Sequence, residues 1–154
     1  MSTRSTTHFL DYSDVPEAII YRHADGYPSG AGADLLRFFD EVSELDDTRF
    51  SDASYLAAKY VVFLAREFSV DYDWSATPAK ITPKASRLDF LSVGVVRTDP
   101  GDIEYRYVVD CRETINGRPK TTVIETHGTN YGGDKVLGEL AEVVARDASE
   151  LATP

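Results

Sequence analysis

The chain has 154 residues, of which 42% are hydrophobic, and its net charge is −10. This length suits one domain with its own core and is too short to predict two. The single cysteine, Cys111, excludes an internal disulfide and a four-thiolate metal site, and the acidic balance argues against direct nucleic-acid binding, which uses clustered Lys and Arg.

The N-terminal segment carries no targeting signal that we recognise. It lacks the basic start and apolar run of a secretory signal, and no apolar stretch approaches the ~18 residues of a membrane span. We therefore expect a cytoplasmic protein that does not bind membranes. Residues 1–16 show no sustained periodicity and are predicted to be an N-terminal arm, followed by a single domain over residues 17–150.

The first predicted strand covers residues 18–23, because Ile19, Ile20 and Tyr21 suit a pleated, half-buried surface. The segment 21–30, which begins in this strand, combines aromatic residues, a histidine and an aspartate with glycine and proline, which favour unusual backbone geometry. We expect Gly26 to supply a positive φ.

Two helices are predicted next. Apolar residues recur at helical spacing over about residues 31–45, and Ser51 with Asp52 offers a cap for a second, central helix that ends near Phe68. Residues 31–75 contain ten acidic and four basic residues, a net charge of −6. The acidity of the chain is thus concentrated on these helices, and residues 69–87 are predicted to be extended or irregular.

A β-hairpin is the clearest signal, because Asn116-Gly117 favours a two-residue type I′ turn between alternating runs. A two-residue turn pairs positions that sum to 233. The pairs are predicted as Glu113 with Lys120, Val109 with Ile124 and Tyr107 with Thr126. The core face of the first hairpin strand is predicted to carry Tyr105, Tyr107, Val109 and Cys111.

The remaining elements are a strand over residues 88–97, joined to the hairpin by the turn 99–102, and a last helix over about residues 134–150. The order β, α, α, β, β, β, α predicts an α+β two-layer sandwich. In it, helices cover one face of an antiparallel meander, and the first strand joins an edge of that meander.

The segment 21–30 also offers a candidate ligand site. His23 and Asp25 alternate at a strand end, and His127 closes the hairpin, but a zinc site needs three or four ligands, so a structural turn is favoured over a metal site. Glycines before a helix can cradle a phosphate. The candidate ligand-binding residues are Tyr21, Arg22, His23, Asp25, Gly26, Tyr27 and His127. Cys111 is predicted to be a core residue whose thiol pKa is raised.

Two motifs carry a resemblance to a family. The stretch Tyr21-x-His23-x-Asp25-Gly26-Tyr27-Pro28-Ser29-Gly30, with Asp102-Ile103-Glu104-Tyr105-x-Tyr107, resembles small uncharacterised proteins of phages, prophages and actinobacterial genomes. In those proteins a Trp often follows the His, where this chain has Ala24. The resemblance implies a phage-type accessory protein that acts by binding inside a bacterial host, and it carries over no catalytic residue.

The leading prediction is a non-enzymatic binding protein that inhibits a host defence protein with a basic surface. The predicted contact residues are Asp40, Glu41, Glu44, Asp46 and Asp47. One alternative is a nucleotide-binding sponge that uses the loop 25–28, and another is a small hydrolase with His23 as general base oriented by Asp25. An acidic surface that only maintains solubility is the simplest alternative. No cofactor is expected, and homo-oligomerisation is left open.

Overall fold

The computed structural model describes residues 2–86, 88, 92–126 and 133–152. Its helices are α1 (Ala33–Ser43), α2 (Ala53–Phe68) and α3 (Leu140–Leu151), and a π-helical turn, Pro28–Gly32, precedes α1. The strands are β1 (Ser5–Leu10), β2 (Ala18–Arg22), β3 (Val70–Asp73), β4 (Lys80–Pro83), β5 (Val93–Val96), β6 (Tyr105–Ile115), β7 (Arg118–Glu125) and β8 (Lys135–Glu139). The predicted α+β class is confirmed. No helix among the described residues is long and apolar enough to cross a membrane.

The main sheet has six strands in the order β5-β2-β1-β6-β7-β8. Strand β1 pairs antiparallel with β2 and parallel with β6, so the sheet is mixed and the prediction of a purely antiparallel meander is wrong. The first predicted strand, now β2, lies inside the sheet and not at its edge. Strands β5 and β6, predicted as neighbours, are separated by β2 and β1.

Strand β1 lies in the segment predicted as an N-terminal arm. Five of its six residues are buried, among them Thr6 on one face of the sheet and Phe9 on the other. A strand that is buried on both faces shows no alternation of polar and apolar residues. The period-2 signal is therefore missing although the strand is central.

The β6–β7 hairpin follows the predicted register only at its tip, where Ile115 pairs with Arg118. An irregularity between Asp110 and Thr114 then shifts the ladder by three positions. Lys120 lies opposite Asp110 and not Glu113, although its Nζ still donates to Glu113 Oε2 over 2.8 Å.

Because of this shift, the other two predicted pairs are wrong. Val109 pairs with Thr121, and Tyr107 pairs with Val123. On β6 the predicted core face is confirmed for Tyr107, Val109 and Cys111, all of which are buried. On β7 the residues that join this face are Thr121 and Val123.

Helices α1 and α2 agree with the predicted positions to within a few residues. The side chain of Asp52, not Ser51, caps α2 by accepting a hydrogen bond from the Tyr55 amide. Between the helices and the sheet lies an aromatic core, in which the rings of Phe38 and Tyr60 have centroids 5.0 Å apart. Helix α2 packs over β1 and β2 and forms the centre of the helical layer.

The C-terminal helix begins later than predicted. Residues 135–139 form β8 at the edge of the sheet, and Glu139 caps α3 by accepting from the Ala141 amide over 2.9 Å. Gly138 has a φ of 136°, which is incompatible with a helix at that point. Leu140 and Val143 are buried as the apolar stripe of α3 predicts.

Strand β5 occupies only part of the predicted strand 88–97, of which residues 89–91 lie outside the described residues. Within residues 69–87, β3 and β4 form a separate two-stranded sheet.

Candidate functional site

The peptide groups of the loop between β2 and α1 form hydrogen bonds with the neighbouring parts of the chain. The Gly26 amide donates to Thr3 O over 2.9 Å, and Tyr107 Oη donates to Gly26 O over 2.8 Å. The positive φ, 54°, belongs to Asp25, so the prediction of a positive φ at Gly26 is wrong. Gly26 is required for space, because a Cβ there would lie 2.7 Å from the carbonyl carbon of Arg4.

The amides that would cradle a phosphate in this loop already have acceptors within the chain. Ser29 N donates to Asp147 Oδ2 over 2.7 Å, Gly30 N to Tyr27 O over 3.0 Å, and Ala31 N to Asp25 O over 2.8 Å. The carboxylates of Asp25 and Asp147 would also repel an anion. The geometry therefore favours a structural turn over a nucleotide site.

Arg22 is buried, and its guanidinium group is bound within the chain. Its Nη1 donates to Asp34 Oδ2 over 2.5 Å, its Nε donates to Ala24 O over 2.7 Å, and its guanidinium lies 4.7 Å from the centroid of the Phe68 ring. These contacts tie β2 to α1 and to the end of α2. Arg22 is thus part of the core and is not presented to a ligand.

His23 and Asp25 are both exposed but do not contact each other. His23 Nδ1 shares a hydrogen bond of 2.8 Å with Tyr21 Oη, whereas Tyr27 Oη donates to Asp25 Oδ1 over 3.4 Å. Burial, followed by the nearby Asp25 carboxylate, raises the pKa of Tyr27. A histidine that is not oriented by a carboxylate lacks the arrangement that the hydrolase alternative requires. His127, the other member of this predicted site, lies outside the described residues.

Cys111 is buried, and the described residues of metal-ligating type are not grouped around a common position. Burial raises the pKa of the Cys111 thiol to about 12, which confirms its prediction as a core residue. In the described part of the chain, no group of three or more His, Cys, Asp and Glu residues is placed to hold a metal ion.

A polar cluster that the sequence did not reveal lies on the sheet face away from the helices. Asp99 accepts from Thr6 Oγ1 and shares a hydrogen bond with His8 Nε2, each over 2.6 Å, and it accepts from Arg106 Nε over 2.6 Å. Burial alone would raise the pKa of Asp99, but the donors outweigh it and lower the pKa to about 2. Because each carboxylate oxygen of Asp99 has a partner, the cluster is a structural tie between β1, β6 and the preceding loop.

One concave surface among the described residues lies between α1 and α2, and we call it the α1–α2 groove. It has a volume of about 510 Å³. Phe38, Val42 and Phe63 form its buried floor, and Leu45, Tyr55 and Val62 form exposed walls. Val62 is 69% exposed in the middle of α2, where a polar residue would be expected on a solvent-facing helix surface.

The predicted acidic contact residues border this groove or lie close to it in the chain, and three of the five are paired. Glu41 accepts two hydrogen bonds from Arg66, of 2.9 and 2.7 Å, which lower its pKa. Asp40 pairs with Arg118, and Asp47 pairs with Arg49 over 2.7 Å. Among the described residues, Glu44 and Asp46 have no ion-pair partner, so their charges are available to another molecule.

Comparisons with protein-family models, with curated proteins and with solved structures found no match to the chain. No described residue covers the apolar groove between α1 and α2, and two carboxylates without a described ion-pair partner lie close by in the chain. That arrangement is typical of a surface that binds another protein segment.

Proposed function

We propose that the chain is a non-enzymatic binding protein whose α1–α2 groove receives an apolar segment of a basic partner protein. The observation that carries the proposal is that the groove borders α1 and the acidic loop after it, whereas its own charged lining residues are Glu41, Lys59 and Arg66. Residues 31–75 hold a net charge of −6 from ten acidic and four basic residues, and the groove lies between the two helices of this segment.

The apolar and the charged residues of this surface would contribute to binding in different ways. Exposed walls such as Tyr55 and Val62 would release water when an apolar side chain enters, which supplies affinity. The carboxylates of Glu44 and Asp46, which pair with no described residue, would attract basic residues beside that anchor, which accelerates association and selects the partner. An amphipathic helix with basic flanks fits both requirements.

The host setting of the proposal comes from the resemblance of the loop motif to phage and prophage proteins. If the chain acts inside a bacterial host, the partner is a host protein, and a defence protein is the class that such accessory proteins commonly block. Inhibition would then result from occupation of the partner's own interaction surface, without any chemical step.

The experiment is capture of partners from host lysate with matched variants of the purified chain. Glu44→Lys with Asp46→Lys reverses the two unpaired charges, and Glu142→Lys with Glu150→Lys makes the same change of net charge on α3. We expect the first pair to reduce capture at least tenfold at physiological salt and the second pair to leave capture unchanged.

The apolar contribution is tested separately with Val62→Ser in the groove and Val95→Ser on β5, two valines that are 69% and 72% exposed. Only the groove variant should lose the partner. A partner that is retained equally by the Val62 variant and by the Glu44/Asp46 variant would show that the groove is not the binding surface.

A further inference from the structure

A cavity distinct from the α1–α2 groove lies between α3, β8 and the start of β6. It has a volume of about 240 Å³ and shares no lining residue with that groove. Its less exposed lining residues are the half-buried Tyr105 and Leu137 and the buried Val143. We call it the α3 cavity, and its charged lining residues are Lys135, Arg146, Asp147 and Glu150.

The two cations of the α3 cavity are both associated with β8. Lys135 is the first residue of this strand. Arg146 belongs to α3, and its Nη2 donates a hydrogen bond to Leu137 O over 3.4 Å, which holds the guanidinium against the same strand. The positive charge of the cavity is therefore concentrated along β8.

The carboxylate of Asp147 is held by a different element, the π-helical turn. Its Oδ2 accepts a hydrogen bond from Ser29 N over 2.7 Å. Burial raises the pKa of Tyr105, and the carboxylates of Glu125 and Asp147 raise it further, so the Tyr105 hydroxyl stays protonated. Asp147 thus lies near a hydroxyl that can donate. Glu150 follows three residues later on the same side of α3.

The four charges of the α3 cavity do not neutralise each other. Within the described part of the chain none of these side chains forms an ion pair, and their hydrogen bonds go to the backbone. Arg146 and Glu150 are four residues apart on α3, a spacing at which opposite charges commonly pair. The α1–α2 groove differs in this respect, because its Glu41 is paired with Arg66 over 2.7 Å.

We propose that the α3 cavity binds a free α-amino acid in its zwitterionic form. The carboxylate of the ligand accepts hydrogen bonds from Lys135 and Arg146, and its ammonium group donates to Asp147. A purely anionic ligand would be repelled by the carboxylates of the cavity, and a purely cationic one by Lys135 and Arg146. Only a ligand with one charge of each sign is attracted by both sets.

The size of the cavity limits the ligand. A volume of about 240 Å³ corresponds to about eight water molecules at ~30 Å³ each. A ligand of about eight to ten non-hydrogen atoms fills that space. An aliphatic amino acid has this size, and its side chain can pack on Leu137 and Val143.

The test uses L-leucine as the probe in isothermal titration calorimetry with the purified chain. N-acetyl-L-leucine and L-leucinamide are matched ligands that keep the side chain but lack the positive and the negative charge, respectively. For so small a ligand in an open cavity we expect a Kd of about 0.1–1 mM. Each blocked ligand should bind at least tenfold more weakly, because one set of charge-assisted hydrogen bonds is lost.

Arg146→Gln and Asp147→Asn each remove one charge from the cavity and should weaken leucine binding at least tenfold. The asparagine side chain still offers an acceptor to Ser29 N. Lys135→Gln changes an exposed residue and should also weaken binding, which keeps the test valid if Asp147→Asn lowers the Tm. Arg97→Gln is the control, since it removes an exposed arginine outside the cavity and should bind leucine like the original chain.

Three results would overturn the proposal. The first is the absence of saturable binding up to about 10 mM leucine. The second is binding of N-acetyl-L-leucine or L-leucinamide as tight as that of leucine, because the site would then recognise only one charge. The third is leucine binding that survives both Arg146→Gln and Lys135→Gln, because the ligand would then lie elsewhere.

Discussion

Gly26→Ala tests whether the segment 21–30 is held by packing. The added methyl group would lie 2.7 Å from Arg4 C, 2.8 Å from Ser5 N and 2.9 Å from Ser5 Cβ. Two of these atoms belong to the backbone that leads into β1, which cannot yield without disturbing the centre of the sheet. The loop must move instead, and that movement strains the hydrogen bonds of Gly26 with Thr3 O and Tyr107 Oη.

The expected loss of stability is the sum of these effects. Overpacking a dense site costs roughly 1–3 kcal/mol, and each weakened hydrogen bond adds up to about 1 kcal/mol. We expect Gly26→Ala to lower the free energy of unfolding by about 2–4 kcal/mol. For a chain of this length that corresponds to a fall in Tm of roughly 5–15 °C. Urea unfolding followed by circular dichroism measures the change.

Gly94→Ala is the matched control, because a Cβ at Gly94 would have no described atom beyond its chain neighbours within 4 Å. It should change stability by less than about 0.5 kcal/mol. Tyr107→Phe removes the hydroxyl that donates to Gly26 O, and its effect should not add fully to that of Gly26→Ala, because both act on one contact. A Gly26→Ala protein as stable as the Gly94→Ala protein would refute the packing argument.

Three further predictions follow from buried polar groups. Asp99 has a pKa lowered to about 2, so its contribution of about 2 kcal/mol is present above about pH 4 and is lost as the pH falls towards 2; the difference in urea stability between the original chain and Asp99→Asn should shrink over that interval. Asp34→Ala leaves the buried Arg22 without its carboxylate and should cost about 3–5 kcal/mol in the same assay. Cys111, with a pKa raised to about 12, should react with a thiol reagent at pH 8 only in the unfolded chain; fast reaction of the folded chain would contradict its burial.

The elements that the sequence predicts well are those whose signals are local. Helix α1 shows a one-sided apolar stripe, and the turn at Asn116-Gly117 has few other conformations available, with φ values of 52° and 77°. The core face of β6 follows from simple alternation. Each of these features depends on residues close together in the chain, and the structure agrees with each.

The elements that the sequence misses depend on distant contacts. Strand β1 lies between β2 and β6, so both of its edges are paired. Its two faces are covered as well, since Ser5 and Thr6, which lie on opposite faces, are buried despite being polar. The register shift in the hairpin is caused by one irregularity between Asp110 and Thr114, which the alternation of residue types does not predict. Strand β8 looks helical because Val136 and Leu137 continue the apolar stripe of α3, and Gly138 separates the two elements.

The sequence predicted the negative charge near the candidate surface but not the groove itself. The acidity of residues 31–75 is a count along the chain, and it lies on α1 and the loop after it more than on α2. The groove depends instead on how Phe38 and Phe63 pack beneath it. Three of the five predicted carboxylates have partners on other elements or on the loop after α1, as Asp40 has in Arg118. Such pairing can be seen only after folding, and it leaves Glu44 and Asp46 as the informative positions.

The glycines of the segment 21–32 have a packing reason in the structure. A Cβ at Gly30 would lie 2.5 Å from Asp25 O, and a Cβ at Gly32 would lie 2.8 Å from Val144 Cγ2 of α3. Ser29 N is bound to Asp147 on the same helix. Glycines at such spacing let a π-helical turn press against α3 without voids. These contacts relate the glycines to the fold, and they place little constraint on what the exposed helices bind.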